Sequence, residues 1–210
     1  MKALEFLRRI KTLSNIGSSV LTNGDLEKLF PDEPLRTVET SIQRLVASEL
    51  LERIARGVYL NPSAGRVGGR LLEEVAKALR PGATCYLSLE SMLAEYGAIS
   101  QIPVDRITVM TTGREGLIKT KYGTIEYTHT KRTRASIVAE TLVADGRPLR
   151  IAPMAVALRD LIRVGRNVNM VDPAFLAPAD SDRNDRNNHH HRADHDAEHP
   201  QKNRSRPRMR

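Results

Sequence analysis

The sequence predicts an α+β fold in three parts, and three observations predict it. In the first fifty residues, apolar side chains recur at helical spacing, and two short strand-like runs follow before Asn61-Pro62. Beyond residue 70, strand-like runs stand together between helical ones, which fits α+β better than an alternating α/β order. From Ala179 to Arg210 the only apolar residues are Ala179, Ala193, Ala197 and Met209. The parts are therefore set at 1–62, 70–176 and 177–210. The last cannot bury enough surface to offset its ordering entropy, so its composition predicts a disordered polar tail.

Each element of the first part has a local reason. Leu4, Leu7 and Ile10 mark one face of a first helix, which Asn15 to Ser19 break. Thr22-Asn23-Gly24-Asp25 has the spacing of a capping box with Asp as the acidic member, and Leu26, Leu29 and Phe30 follow it. Pro31 and Pro34 bracket a turn. A third helix begins near Leu35 or Arg36 and runs to about Ser48, with Val38, Ile42, Leu45 and Val46 as its apolar stripe. Leu50 to Ile54 and Val58 to Leu60 read as two strands around an Ala55-Arg56-Gly57 turn, where Gly57 serves turn geometry.

The opposite face of the third helix carries the chemistry. Arg36, Thr40, Gln43, Arg44 and Ala47 share one sector, flanked by Thr37. Arg can bond guanine O6 and N7, Gln can read adenine, and Thr can bond phosphate or touch a thymine methyl. A helix running into a hairpin with arginine at its tip is the winged helix-turn-helix order, in which the helix enters the major groove. The expected DNA contacts are therefore Arg36, Thr37, Thr40, Gln43 and Arg44, with Arg53 and Arg56 of the hairpin on backbone or minor groove.

Composition narrows the partners. The 210 residues hold 33 Lys+Arg against 25 Asp+Glu, a net of +8 that favours polyanions, chiefly nucleic acid. Trp is absent and aromatics are only 4%, which disfavours single-strand binders built on stacking platforms. The single Cys85 excludes an internal disulfide framework and a multi-cysteine metal site. No apolar run approaches the roughly 20 residues a membrane span needs. Met1 to Thr12 carries Glu5, Arg8, Arg9 and Lys11, so it does not read as a secretory signal. A cytoplasmic chain without cofactor or metal is expected. The tail's His189, His190, His191, His195 and His199 could chelate a transition metal, but a solvated tail is the reading adopted.

In the second part, Gly65, Gly68 and Gly69 read as a junction. Leu71, Leu72, Val75 and Leu79 make an amphipathic helix, and Ala83 to Leu87 a strand. Ser88 to Tyr96 is a helix that Ser88 caps, with Ser91 outward. Ile102 to Thr111, Leu117 to Lys121 and Thr124 to His129 read as strands, the last two joined across Tyr122-Gly123. After a polar break, Pro153 to Arg163 places Met154, Ala157, Leu158 and Leu161 on one helical face.

Catalytic chemistry is thinly supported. Glu126 and His129, three apart on a strand, point to opposite faces, and Cys85 reads as a core residue. Gly113-Arg114-Glu115-Gly116 has the glycine spacing of a KH loop, but it lies between strands and reads as a turn. Charge is more telling. Arg114, Lys119, Lys121, Lys131, Arg132 and Arg134 outnumber Glu115 and Glu126, which marks a second phosphate-contact surface.

Tyr86-Leu87-Ser88-Leu89-Glu90-Ser91, Ala94-Glu95-Tyr96-Gly97, Ile107 to Gly113, Gly123 to Thr130, Ala152 to Leu161 and Arg163-Val164-Gly165-Arg166-Asn167, taken in order, resemble the AbiEi family of bacterial antitoxins. With Arg56-Gly57-Val58-Tyr59-Leu60, the resemblance runs from about Leu4 to Asp172. It implies the antitoxin of a type IV toxin–antitoxin system linked to phage defence, which represses its own promoter by binding inverted repeats in double-stranded DNA. The partner it implies is a nucleotidyltransferase-like toxin, opposed without a stable complex. Family members continue with structured sequence where this chain turns polar. Two other functions stay open: a module that neutralises a toxin by direct binding, and a nucleic-acid-processing enzyme using Ser88, Glu126 or His129.

Overall fold

Phe6 and Ile10, four residues apart, are both buried and turn the first helix, α1 (Ala3–Ser14), onto the protein. The expected stripe is thereby rotated: Leu7 is 36% exposed. In this computed structural model, residues 3–14, 19–64, 70–100 and 105–176 are described. The Gly65, Gly68 and Gly69 junction, most of the Asn15 to Ser19 break and the 177–210 tail with its histidines lie outside them.

A three-residue strand, β1 (Val20–Thr22), follows α1 and was not expected from the sequence. Thr22 then caps α2 (Asn23–Leu29) with the predicted box: its Oγ1 accepts from the Asp25 amide at 3.2 Å, and Asp25 Oδ2 accepts from the Thr22 amide at 2.9 Å. Helix α3 (Leu35–Ala47) buries Val38, Ile42 and Leu45 as its spacing predicts, and Ser41 beside them. Strands β2 (Glu52–Ala55) and β3 (Val58–Leu60) form the hairpin, with an irregularity between Arg53 and Ala55 and Gly57 at φ +72° in the turn. That φ is cheap for glycine and strained for any residue with a Cβ.

The three strands pair antiparallel in the order β1-β3-β2, and alternation divides their side chains between two cores. Leu21 and Tyr59 join Phe6, Leu26, Phe30, Val38, Ile42, Leu45 and Leu51. Val20, Val58 and Leu60 face the other way, into the core of the second part of the chain. Each buried Leu or Val contributes about 2 kcal/mol, so the two parts are held by a shared apolar layer. The chain up to Phe175 forms one unit accordingly.

The second part is built on a five-stranded mixed sheet, ordered β6-β7-β5-β4-β8. Its elements are α4 (Leu71–Ala78), β4 (Cys85–Leu87), α5 (Leu89–Glu95), β5 (Arg106–Thr111), β6 (Gly116–Thr120), β7 (Gly123–His129), α6 (Arg134–Glu140), β8 (Arg150–Ile151) and α7 (Met154–Val164). Strand β7 pairs antiparallel with β6 and parallel with β5, from Arg106 opposite Thr124 to Thr111 opposite His129. Tyr86, Leu87, Val109, Met110, Ile125, Tyr127 and Leu161 fill the core.

Several local expectations change. The polar break contains α6, which buries only Ile137. Ser88 precedes α5 without capping it, and its hydroxyl donates to Asp160 instead. Ser91 is not turned out: its Oγ accepts from the Thr108 amide at 2.7 Å and its amide donates to Thr108 Oγ1 at 3.0 Å. Helix α7 buries Asp160 along with Ala157 and Leu161, and Met154 is 38% exposed. Gly165 ends that helix in the left-handed conformation at φ +73°.

Polar contacts fix the two parts in register. The Ser19 hydroxyl donates to Glu74 Oε2 at 3.0 Å, and the Tyr122 hydroxyl to Glu52 Oε2 at 2.8 Å. Lys121 Nζ lies 2.7 Å from the same Glu52 oxygen. The β2 strand of the hairpin is thereby tied to the β6–β7 turn.

Candidate nucleic-acid interface

Helix α3 presents Arg36, Thr37, Thr40, Gln43, Arg44 and Ala47 to solvent, opposite its buried stripe. Arg53 and Arg56 of the hairpin are exposed as well. No carboxylate of the described residues lies within ion-pair distance of these four arginines. Their charge is therefore available to a polyanion. Thr40 differs from the simplest expectation, because its hydroxyl donates to the Arg36 carbonyl at 2.9 Å. Its methyl group remains for apolar contact with a base.

Between α3 and the hairpin lies an open groove of about 470 Å³, lined by Asn23, Glu39, Ile42, Gln43, Val46, Arg53, Arg56, Gly57 and Tyr59. The structure brings Gln43, Arg53 and Arg56 together on it, whereas Arg36, Thr37, Thr40 and Arg44 do not line it. Two of its polar residues were missed in the sequence. Glu39 is an exposed carboxylate on α3 that can accept from a cytosine amino group and repel a phosphate. Asn23 has a buried Oδ1 with no hydrogen-bond partner among the described residues. The polar, charged residue types of α3 were the available signal for Glu39. Asn23 reads only as the first residue of α2.

The second cationic group is divided by the fold. Arg114, Lys119, Lys131 and Arg134 are exposed. Lys121 sits in the turn, bonded to Glu52, rather than on the strand with Lys119. Arg132 is turned inward: its side chain is 10% exposed, it bonds Glu140, and its Nη1 lies 3.8 Å from Asp160 Oδ1. It does not join an outer surface.

Arg159 and Arg132 both bond Glu140 and hold its carboxyl at about 2, below its ordinary 4.5. A carboxyl depressed in the folded state contributes stability that is full above 4.5 and is lost as the pH falls through about 2. Glu140→Gln is therefore expected to lower the melting temperature at pH 7. The gap from wild type should close between pH 4.5 and 2. A gap that stays constant across that interval would refute the ion pair's role.

The residues weighed for catalysis are dispersed or closed in. Ser88 is fully buried, with its hydroxyl donating to Asp160 Oδ2 at 2.8 Å. Glu126 binds Arg166, and His129 Nδ1 lies 2.9 Å from the Gly113 carbonyl oxygen. Burial raises the Cys85 thiol above its usual value, so it stays protonated. No group of three or more His, Cys, Asp and Glu among the described residues could hold a metal ion. No helix among them is long and apolar enough to cross a membrane.

No protein-family model matches the chain, and no curated protein matches it.

Proposed function

We propose that this chain is a sequence-specific binder of double-stranded DNA that represses its own promoter at inverted repeats and acts as the antitoxin of a type IV system. The observation that carries the DNA reading is the exposed face of α3 with the adjoining hairpin. Four arginines that meet no carboxylate among the described residues stand there with Gln43 and the threonines, beside a groove whose lining includes Glu39. The order α1-β1-α2-α3-β2-β3 with a β1-β3-β2 sheet supports a winged helix, with α3 as the reading element and the hairpin as the wing. The antitoxin role, and a nucleotidyltransferase-like toxin opposed without a stable complex, rest on the resemblance of the quoted segments. The closed-in Ser88 and the separated Glu126 and His129 favour binding over catalysis.

The test is binding to the DNA upstream of the reading frame against an unrelated duplex of equal length. Arg44→Ala and Gln43→Ala are expected to cost about 1–3 kcal/mol each on the upstream site and less on the unrelated duplex. Arg56→Ala should weaken both and reduce the salt slope by about 1. Equal affinity of wild type for the two duplexes, or no change in the α3 variants, would overturn the recognition-helix assignment.

A further inference from the structure

A second cationic site lies outside the α3 groove, and sequence order does not show it. Lys77 at the end of α4, Arg80 just beyond it, Arg134 opening α6 and Arg150 on β8 line one open cavity of about 540 Å³. The rest of its lining is neutral, so no Asp or Glu of the described residues lines it. Among the described residues, no carboxylate lies within ion-pair distance of any of the four cations.

Neutral groups hold two of the cations in place. The Arg80 guanidinium lies over the Tyr127 ring, 4.2 Å from its centroid, and donates to the Arg114 and Leu79 carbonyls at 3.0 and 3.1 Å. Arg150 donates from Nε to Thr141 Oγ1 at 2.7 Å and from Nη2 to the Val138 carbonyl at 2.9 Å. These partners fix position without cancelling charge, and Nη2 of Arg80 and Nη1 of Arg150 make no hydrogen bond with the described residues. Arg134 and Lys77 are exposed at the rim. Four cations brought together without a carboxylate are unfavourable for the free fold and become favourable when an anion occupies the space.

Shared lining residues also connect the cavity to the α3 groove through a third space. A third open space, lined by Asn23, Lys28, Arg56, Gly57, Lys77 and Pro81 among others, shares Asn23, Arg56 and Gly57 with the groove and Lys77 and Pro81 with the cavity. Asp25, the single acidic residue among the described ones lining it, is engaged by the Thr22 amide and hydroxyl. A trough carrying Arg53, Arg56, Lys28, Lys77, Arg80, Arg134 and Arg150 thus passes from the hairpin to the second part of the chain.

We propose that Lys77, Arg80, Arg134 and Arg150 form a phosphate-binding site at the end of this trough. Its ligand chemistry is a run of phosphate groups, supplied either by the backbone of a duplex already held at α3 or by a free phosphorylated molecule. The duplex source rests on the DNA-binding reading above; the site itself does not.

The experiment uses the full chain and the double variants Lys77→Ala/Arg134→Ala and Lys77→Glu/Arg134→Glu. Both positions are exposed and hold no other element, and melting curves check that each variant is folded. Inorganic tripolyphosphate is titrated calorimetrically, and a generic 30-base-pair duplex is titrated by anisotropy across a salt series. For the duplex source, the alanine pair should reduce the salt slope by about 1.8 and weaken binding roughly tenfold or more near 0.15 M salt, with a larger loss for the glutamate pair. Loss of tripolyphosphate binding with an unchanged duplex slope supports the site and assigns it to a free ligand. If wild type binds no duplex at all, the DNA reading fails, and the tripolyphosphate titration alone decides the site. Folded variants that match wild type in both titrations overturn the proposal.

Discussion

Asp160→Ala is expected to lower the free energy of unfolding by about 3–5 kcal/mol, seen as a lower denaturant midpoint at unchanged slope. Asp160 is 1% exposed on α7, and its Oδ2 accepts from the Tyr86 hydroxyl at 2.9 Å and from the Ser88 hydroxyl at 2.8 Å. Its Oδ1 lies 3.8 Å from the inward Nη1 of Arg132, which has no hydrogen-bond partner among the described residues. Truncation would strand two buried hydroxyls and weaken the compensation of a buried guanidinium. An unmatched buried polar group costs about 1–3 kcal/mol, so the effects compound. Desolvation, and after it the Asp160 charge, hold the Tyr86 hydroxyl pKa above its usual value, so that hydroxyl stays a donor at any physiological pH. Tyr86→Phe, which removes one donor and keeps the ring, should cost only about 1 kcal/mol. An Asp160→Ala protein within 1 kcal/mol of wild type would show that α7 is held to the sheet by its apolar face alone.

The contrast between α3 and Asp160 shows what the sequence could disclose. Helix α3 was legible because thirteen residues repeat one apolar stripe, and its outward residues follow from the same geometry. The hairpin was legible because Gly57 marks its turn. Strand β1 has three residues, too few for alternation to register, and α6 buries Ile137 alone. Ser88 read as a cap because capping is the usual local role of serine before a helix. Its actual partner lies 72 residues away. Charge was misleading for the same reason. Lys121 and Arg132 counted as free cations until the fold brought Glu52 and Glu140 to them. The site of Lys77, Arg80, Arg134 and Arg150 passed unnoticed because its cations come from three separate segments, the end of α4, the start of α6 and β8, which only the fold assembles. Local periodicity survives in one dimension; pairing between distant segments does not.

Gly123→Ala is expected to destabilise the protein by about 3 kcal/mol or more, through two separate effects. The residue is buried at φ +134°, a conformation that side-chain-bearing residues rarely adopt. A Cβ there would lie 2.4 Å from the Asp105 carbonyl oxygen and 2.9 Å from Leu72 Cδ1. The leucine tip can rotate away, but the carbonyl cannot, because it accepts from the Thr124 amide at 2.7 Å where β7 begins. Relief therefore requires the β6–β7 turn to move. That turn carries Lys121 and Tyr122, whose contacts with Glu52 tie the hairpin to the second part of the chain. The substitution should accordingly expose β2 and β3 amides to faster hydrogen exchange, although both strands are more than sixty positions away in sequence. Tyr122→Phe is the control: it deletes one hydrogen bond to Glu52, leaves Lys121 in place, and should cost about 1 kcal/mol with β7 unaffected. If Gly123→Ala melts like wild type, the turn accommodates the methyl group and is not the rigid anchor of the hairpin. If it melts low while hairpin protection is unchanged, the shared apolar layer of Val20, Val58 and Leu60 carries the connection without the turn.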